Sequence, residues 1–195
     1  MRFKDLKIGF AVTGSHCTVA EVLPVMRLLK DEGARVIPIL SQAVITNDTR
    51  YGTSKELLQK IVDITGENPL VTLVDVEPIG PKKMLDLVVV APCTGNTLAK
   101  LASGINDSSV LLACKAELRN NRPVVIAIST NDGLSANAKN LGTLLNRKNV
   151  FFVPFGQDAP ETKQASLIAK MSLLPETILE ALQNRQIQPL LITYN

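Results

Sequence analysis

Residues 86–91 read DLVVVA, an unbroken apolar run closed by Pro92. A strand without polar alternation suits burial on both faces, the habit of central strands in parallel sheets. Parallel neighbours need crossover segments, so helices should alternate with strands elsewhere in the chain. The 7–13 stretch (KIGFAVT) reads as a second buried strand, ending at Gly14-Ser15, a turn into a helix. Thr18 followed by Glu21 has capping-box spacing. That helix is expected to run to about residue 32 and stop at Gly33, with Pro24 kinking it or marking a late start. Residues 35–40 (RVIPIL) form the next strand, in which Pro38 sits awkwardly.

Further along, 54–65 carries a helical apolar face, 71–76 reads as a short strand and 77–83 as a loop. Helical patterns follow over 97–102 and 109–119, then a strand over 122–128, a helix over 136–147 and a last core strand over 150–153. Leu167, Met171, Leu174, Ile178 and Leu182 make the stripe of a terminal helix over 167–183. The tail after Gln186 either docks or frays. The expected fold is a three-layer α/β/α, Rossmann-like (flavodoxin-like) domain with a mainly parallel sheet, spanning 1–195 as one unit without linker or repeat.

Composition removes several functions. The net charge of +3 has no basic block behind it, and Trp is absent with aromatics at 4%, so neither phosphate-backbone nor stacked-base recognition of nucleic acid is expected. No apolar run is long enough for a membrane span. Cys17, Cys93 and Cys114 are odd in number and form no CxxC pair, which argues against a disulfide scaffold or a zinc site and fits a cytoplasmic setting.

In an open parallel sheet, ligands bind beyond the C-terminal strand ends. Four such places stand out: Thr13-Gly14-Ser15-His16, Ser41-Gln42, the 92–97 segment (Pro92, Cys93, Thr94, Gly95, Asn96, Thr97) and the 129–132 segment (Ser129, Thr130, Asn131, Asp132). All are rich in hydroxyls, small residues or Asn, the chemistry that holds a phosphate against a helix N-terminus. TGSHCT has one Gly where a dinucleotide fingerprint needs three, so a mononucleotide fits better than a pyrophosphate. His16 reads equally as a proton carrier and as a packing residue at a helix start. Cys93 reads more simply as a small buried hydrophobe than as a ligand contact. Gln157 and Asp158, in FGQDAP, belong to a loop that covers the pocket, meets a neighbouring protomer or is only structural.

The segment APCTGNTLAKLASGINDSSVLLA, residues 91–113, resembles the PASANT segment of the homo-oligomeric flavin-containing Cys decarboxylases. Pro92, Asn96, Thr97, Gly104, Ile105 and Asp107 match that pattern, while Cys93, Thr94 and Gly95 depart from it but stay small. The opening TGS and Ser41 are similar to that family's FMN phosphate contacts. Within the superfamily, GSHCT, TGNT, ISTND and FFVPFGQDAP together resemble the B subunits of dipicolinate synthases from spore-forming bacteria, over essentially the whole chain.

That resemblance implies FMN held by Thr13, Gly14, Ser15, Ser41, Pro92, Cys93, Thr94, Gly95, Thr97, Ser129 and Thr130, with His16 and Asn96 as catalytic residues. It implies an oxidoreductase component that turns a dihydrodipicolinate-type intermediate of the lysine branch into dipicolinate during sporulation, in the cytoplasm of the mother cell. It also implies a dicarboxylate substrate, a partner (the dipicolinate synthase A subunit) carrying NADP, and homo-oligomerisation. The decarboxylases use a His after their second strand. Here His16 is the one His, and none occurs from Ser41 to Pro92. Decarboxylation of a cysteinyl substrate, and a non-catalytic role beside the A subunit, remain as alternatives.

Overall fold

The structure, a computed structural model, describes residues 1–193. The chain order is β1 (Lys7–Val12), α1 (His16–Asp31), β2 (Arg35–Leu40), α2 (Gln42–Thr46), α3 (Ser54–Thr65), α4 (Leu73–Val76), α5 (Ile79–Lys82), β3 (Leu87–Cys93), α6 (Gly95–Ala102), α7 (Ser109–Arg119), β4 (Val124–Thr130), α8 (Ala138–Leu145), β5 (Val150–Phe152), β6 (Phe155–Gly156), β7 (Leu167–Ala169) and α9 (Leu174–Leu182). The seven-stranded sheet runs β2-β1-β3-β4-β7-β6, with β5 also paired to β4. Strands β1 to β5 are parallel; β7 is antiparallel to both β4 and β6.

β3 is central, as its composition requires: all seven of its residues are buried. Removing one such Val or Leu side chain from water contributes about 1.5–3 kcal/mol, so this strand anchors the core. It extends through Pro92 to Cys93, past the end expected from the proline, with a register shift against β4 between Val90 and Cys93. Pro38 is tolerated because β2 is an edge strand. Its carbonyl accepts from Leu70 N on the outer side, so its missing N–H lies there too and no bond to β1 is lost. Helices α1 and α9 pack together on one face and α7 on the other, where Ser109 Oγ donates to Leu40 O at 2.7 Å.

Several local expectations are corrected. Residues 71–76 are not a strand: Thr72 and Asp75 form a capping box that starts the single turn α4, and Asp75 also accepts from Val71 N at 3.0 Å. Only Leu70 joins the sheet, bridging to Ile39. The 77–83 loop contains the short turn α5. Helix α1 starts at His16 and runs through Pro24 unbroken. The Thr18–Glu21 capping box does not form: α1 begins at His16, so Thr18 lies inside its first turn, and its hydroxyl pairs with Ser129. Thr53 and Glu56 make a true capping box at α3, whose end is set by Gly66 at φ +72°.

The terminal helix is also shorter than its stripe suggests. Residues 167–169 are strand β7, a 3₁₀ turn follows over Met171–Leu173, and α9 begins at Leu174 with Pro175 in its first turn. β5 stops at Phe152, while β4 continues to Thr130. The bare edge of β4 at Ser129 and Thr130 is filled by Ile168 and Leu167. Beyond Gln186 the tail docks: Phe155 N donates to Leu190 O, and Ile192 N to Phe155 O. Its last two residues, 194–195, lie outside the described residues.

Candidate functional site

The ends of β1, β3 and β4 meet at one polar floor. Thr13 is buried there, its Oγ1 donating to Pro92 O at 2.6 Å and accepting from Thr94 N at 3.0 Å. It therefore stitches the loop after β1 to the loop after β3. Ser15 stands at the N-cap position of α1 without capping it. Its hydroxyl lies 2.7 Å from Ser129 Oγ, and Thr18 Oγ1 lies 2.7 Å from the same atom. Three hydroxyls thus close a triangle between α1 and β4, and the first turn of a sixteen-residue helix keeps its N–H groups clear of side-chain caps. Such a turn attracts anions through its N–H groups and its dipole.

The neighbouring helix starts differently. Thr94 caps α6, accepting from Thr97 N at 3.3 Å and donating to Thr97 Oγ1 at 3.0 Å. Gly95 sits under the β4 loop, where Asp132 accepts from Thr130 Oγ1 at 2.5 Å and from Asn137 Nδ2 at 2.8 Å. The β6–β7 loop forms the far rim. There Lys163 pairs with Asp158 at 3.2 Å, and Ser166 Oγ donates to Thr130 O at 3.2 Å. Desolvation pushes the Asp158 carboxyl up, but hydrogen bonding, chiefly from Lys163, and the Lys163 charge outweigh it and hold the group below its ordinary range.

These elements enclose an open cavity of about 690 Å³. Of the residues expected at the site, Gly14, Ser15, His16, Thr94, Gly95, Asn96, Ser129 and Thr130 line it. Thr13, Ser41, Pro92, Cys93 and Thr97 do not. Thr13 and Pro92 hold the floor from below. Cys93 is fully buried, and burial pushes its thiol far above the usual range. Ser41 stands at the N-cap of α2, with a buried hydroxyl that has no hydrogen-bond partner. Lys100, on α6, does not line the cavity and is paired with Asp107 at 2.6 Å.

Sequence reasoning passed over Thr18, Arg50, Tyr51, Lys163 and Ser166, all of which line the cavity. Thr18 looked like a helix cap. Arg50 and Tyr51 follow Asn47, Asp48 and Thr49 and precede Gly52, a turn-rich cluster just beyond the second strand that did carry a signal.

The residues fit a flavin mononucleotide on two counts. The α1 turn is uncapped toward the cavity, and the floor is lined with hydroxyls. An open, mostly parallel sheet with such a cradle at its C-terminal edge defines the flavodoxin-like class of protein. A family model described as Flavoprotein matches residues 2–183, and the chain belongs to that family. The dipicolinate synthase B subunit of Bacillus subtilis (strain 168) is 50% identical over 189 residues, covering 97% of this chain and 94% of the relative. The crystal structure of the dipicolinate synthase B subunit from Bacillus halodurans C matches with a TM-score of 0.92 at 49% identity, over 100% of both chains. Within the family the chain therefore groups with the dipicolinate synthase B subunits. The FMN binding protein AtHal3 shares the fold, with a TM-score of 0.64 at 17% identity, over 90% of this chain and 96% of that one.

Proposed function

We propose that this chain is the flavin-holding B subunit of a dipicolinate synthase, which works with an A subunit to oxidise a dihydrodipicolinate-type intermediate to pyridine-2,6-dicarboxylate during sporulation. The observation that carries the reading is the uncapped first turn of α1 opening onto the Ser15–Thr18–Ser129 hydroxyl floor, in a chain of this family. A phosphate seated on the Gly14–Ser15 turn accepts from the N–H groups at the start of α1.

Aromatising a dihydropyridine removes a hydride and a proton, and a bound flavin supplies a hydride acceptor. The chain's own residues do the rest. Asn96, at the start of α6 on the cavity wall, orients a substrate carboxylate. His16 borders the cavity and is the chain's only imidazole, so it takes the ring proton. NADP is assigned to the A subunit, consistent with the single Gly in TGSHCT. Assembly into a homo-oligomer in the cytoplasm belongs to the same reading.

The first test is the absorbance spectrum of the purified chain before and after adding FMN. A perturbed flavin spectrum that survives desalting is expected. If neither the chain alone nor its complex with the A subunit retains FMN, the flavin role fails. In the loaded complex, His16→Ala is expected to lower dihydrodipicolinate turnover by about 10²-fold or more, the usual worth of a positioned acid–base group, with the flavin spectrum unchanged. Full turnover by that variant would take His16 out of the reaction.

A further inference from the structure

The turn between α2 and α3 presents an arginine to the cavity on an unusually well-tied tip. Thr49 and Gly52 exchange two backbone hydrogen bonds, at 3.0 and 3.1 Å, and Tyr51 N donates to Thr49 Oγ1 at 3.2 Å. Behind them Asp48 Oδ1 accepts from Ser54 N at 2.8 Å and from Ser54 Oγ at 3.1 Å. At the tip the Arg50 guanidinium lies 4.9 Å from the centre of the Tyr51 ring, and its Nη2 donates to the Tyr51 hydroxyl at 2.7 Å. The ring contact and this bond tie the guanidinium to its neighbour while leaving its other donors unused by any acid.

The charges around the cavity make this arginine distinctive. Lys163 is paired with Asp158, and both oxygens of Asp132 accept from Thr130 and Asn137. Arg50 lines the same cavity, yet no carboxylate pairs with it among the described residues. A guanidinium fork matches a planar carboxylate through two parallel bonds, and the tied turn holds this one at the cavity. The donors suited to a phosphate already lie on the floor, at the first turn of α1.

We infer that Arg50 binds one carboxylate of the substrate and gives the site its preference for a dicarboxylic over a monocarboxylic ring. The inference rests on the reaction proposed above and adds the residue that selects its substrate. Charge-assisted bonds of this kind contribute enough that their loss weakens binding roughly 10- to 100-fold.

The test is calorimetric titration of dipicolinate and of picolinate, its monocarboxylic counterpart, into the complex with the A subunit, using wild type, Arg50→Gln and Arg50→Lys. FMN uptake is followed separately by absorbance. Arg50→Gln is expected to weaken dipicolinate about 10- to 100-fold and picolinate much less, Arg50→Lys to recover part of the loss, and both to take up FMN as wild type does. Wild-type affinity for dipicolinate in Arg50→Gln overturns the inference. So does loss of FMN with dipicolinate unchanged, which would make Arg50 a phosphate ligand, and so does a wild type that does not prefer dipicolinate to picolinate. If wild type takes up no FMN, the flavin reading falls by itself, and the titrations of the flavin-free complex still decide the role of Arg50.

Discussion

Gly95→Ala is expected to destabilise the protein by about 2–4 kcal/mol, through overpacking and broken buried hydrogen bonds, and to lower its affinity for FMN at least tenfold. In an exposed helix the same exchange would be favourable by about 1 kcal/mol, so the sign depends on the surroundings. A Cβ at position 95 would lie 2.5 Å from Thr130 Oγ1, 2.6 Å from Asp132 Oδ1 and 2.7 Å from Asn137 Nδ2. None of these atoms is the loose end of a flexible chain. Thr130 and Asn137 both donate to Asp132, and Asn140 Nδ2 donates to Asn137 Oδ1 at 2.8 Å. To make room, the β4 loop must lift away from α6, and that loop is a wall of the cavity. Gly142→Ala is the control: it lies within α8, and nothing stands within 4 Å of its added Cβ. That variant should gain about 0.5–1 kcal/mol. Urea denaturation with a parallel FMN titration checks both. A Gly95→Ala protein as stable and as flavin-competent as wild type would show that the loop yields freely.

The second large effect is a pH dependence set far from the site. Glu117 is fully buried on α7, neither of its oxygens has a hydrogen-bond partner, and the nearest cation, Arg122 Nη1, is 3.7 Å away. Burial pushes its carboxyl up from 4.5 to about 7, against the opposing pull of Arg122. Between these values the folded chain holds more proton than the unfolded chain, so stability falls as pH rises through that window and then levels off. At about 1.4 kcal/mol per decade of pH, and allowing for screening by solvent, the wild type should lose roughly 1–3 kcal/mol between pH 5 and pH 8. Glu117→Gln cannot ionise and should flatten that slope. Denaturation midpoints at the two pH values decide the matter: parallel losses in wild type and variant would mean that other groups carry the dependence.

Much of the fold was legible because its signals are local. The apolar run of β3 needs cover on both faces whatever surrounds it, and the 54–65 helix begins and ends where Thr53, Glu56 and Gly66 dictate. The four hydroxyl-rich strand ends could also be read, since a turn into a helix advertises itself by small residues.

Where two local readings compete, long-range packing made the choice. Thr18–Glu21 and Thr53–Glu56 have the same spacing, but α1 begins before Thr18, and Ser129 of β4 captures the hydroxyls of both Thr18 and the N-cap Ser15, leaving the helix end open to an anion. Leu167 fits a helical stripe as well as a strand. It became strand because β4 outruns β5 and its exposed edge requires a partner. The cavity itself belongs to this second kind. Arg50, Lys163 and Ser129 stand far apart in the chain, and it is the pairing of the strands that brings their loops around one space. The strands, most of the helices and the phosphate-type chemistry of their ends follow from the residues alone, because they depend on neighbours a few positions away. Which hydroxyls bond to each other, which helix end stays open and which cation faces the ligand depend on partners dozens of residues distant, and folding alone brings them together.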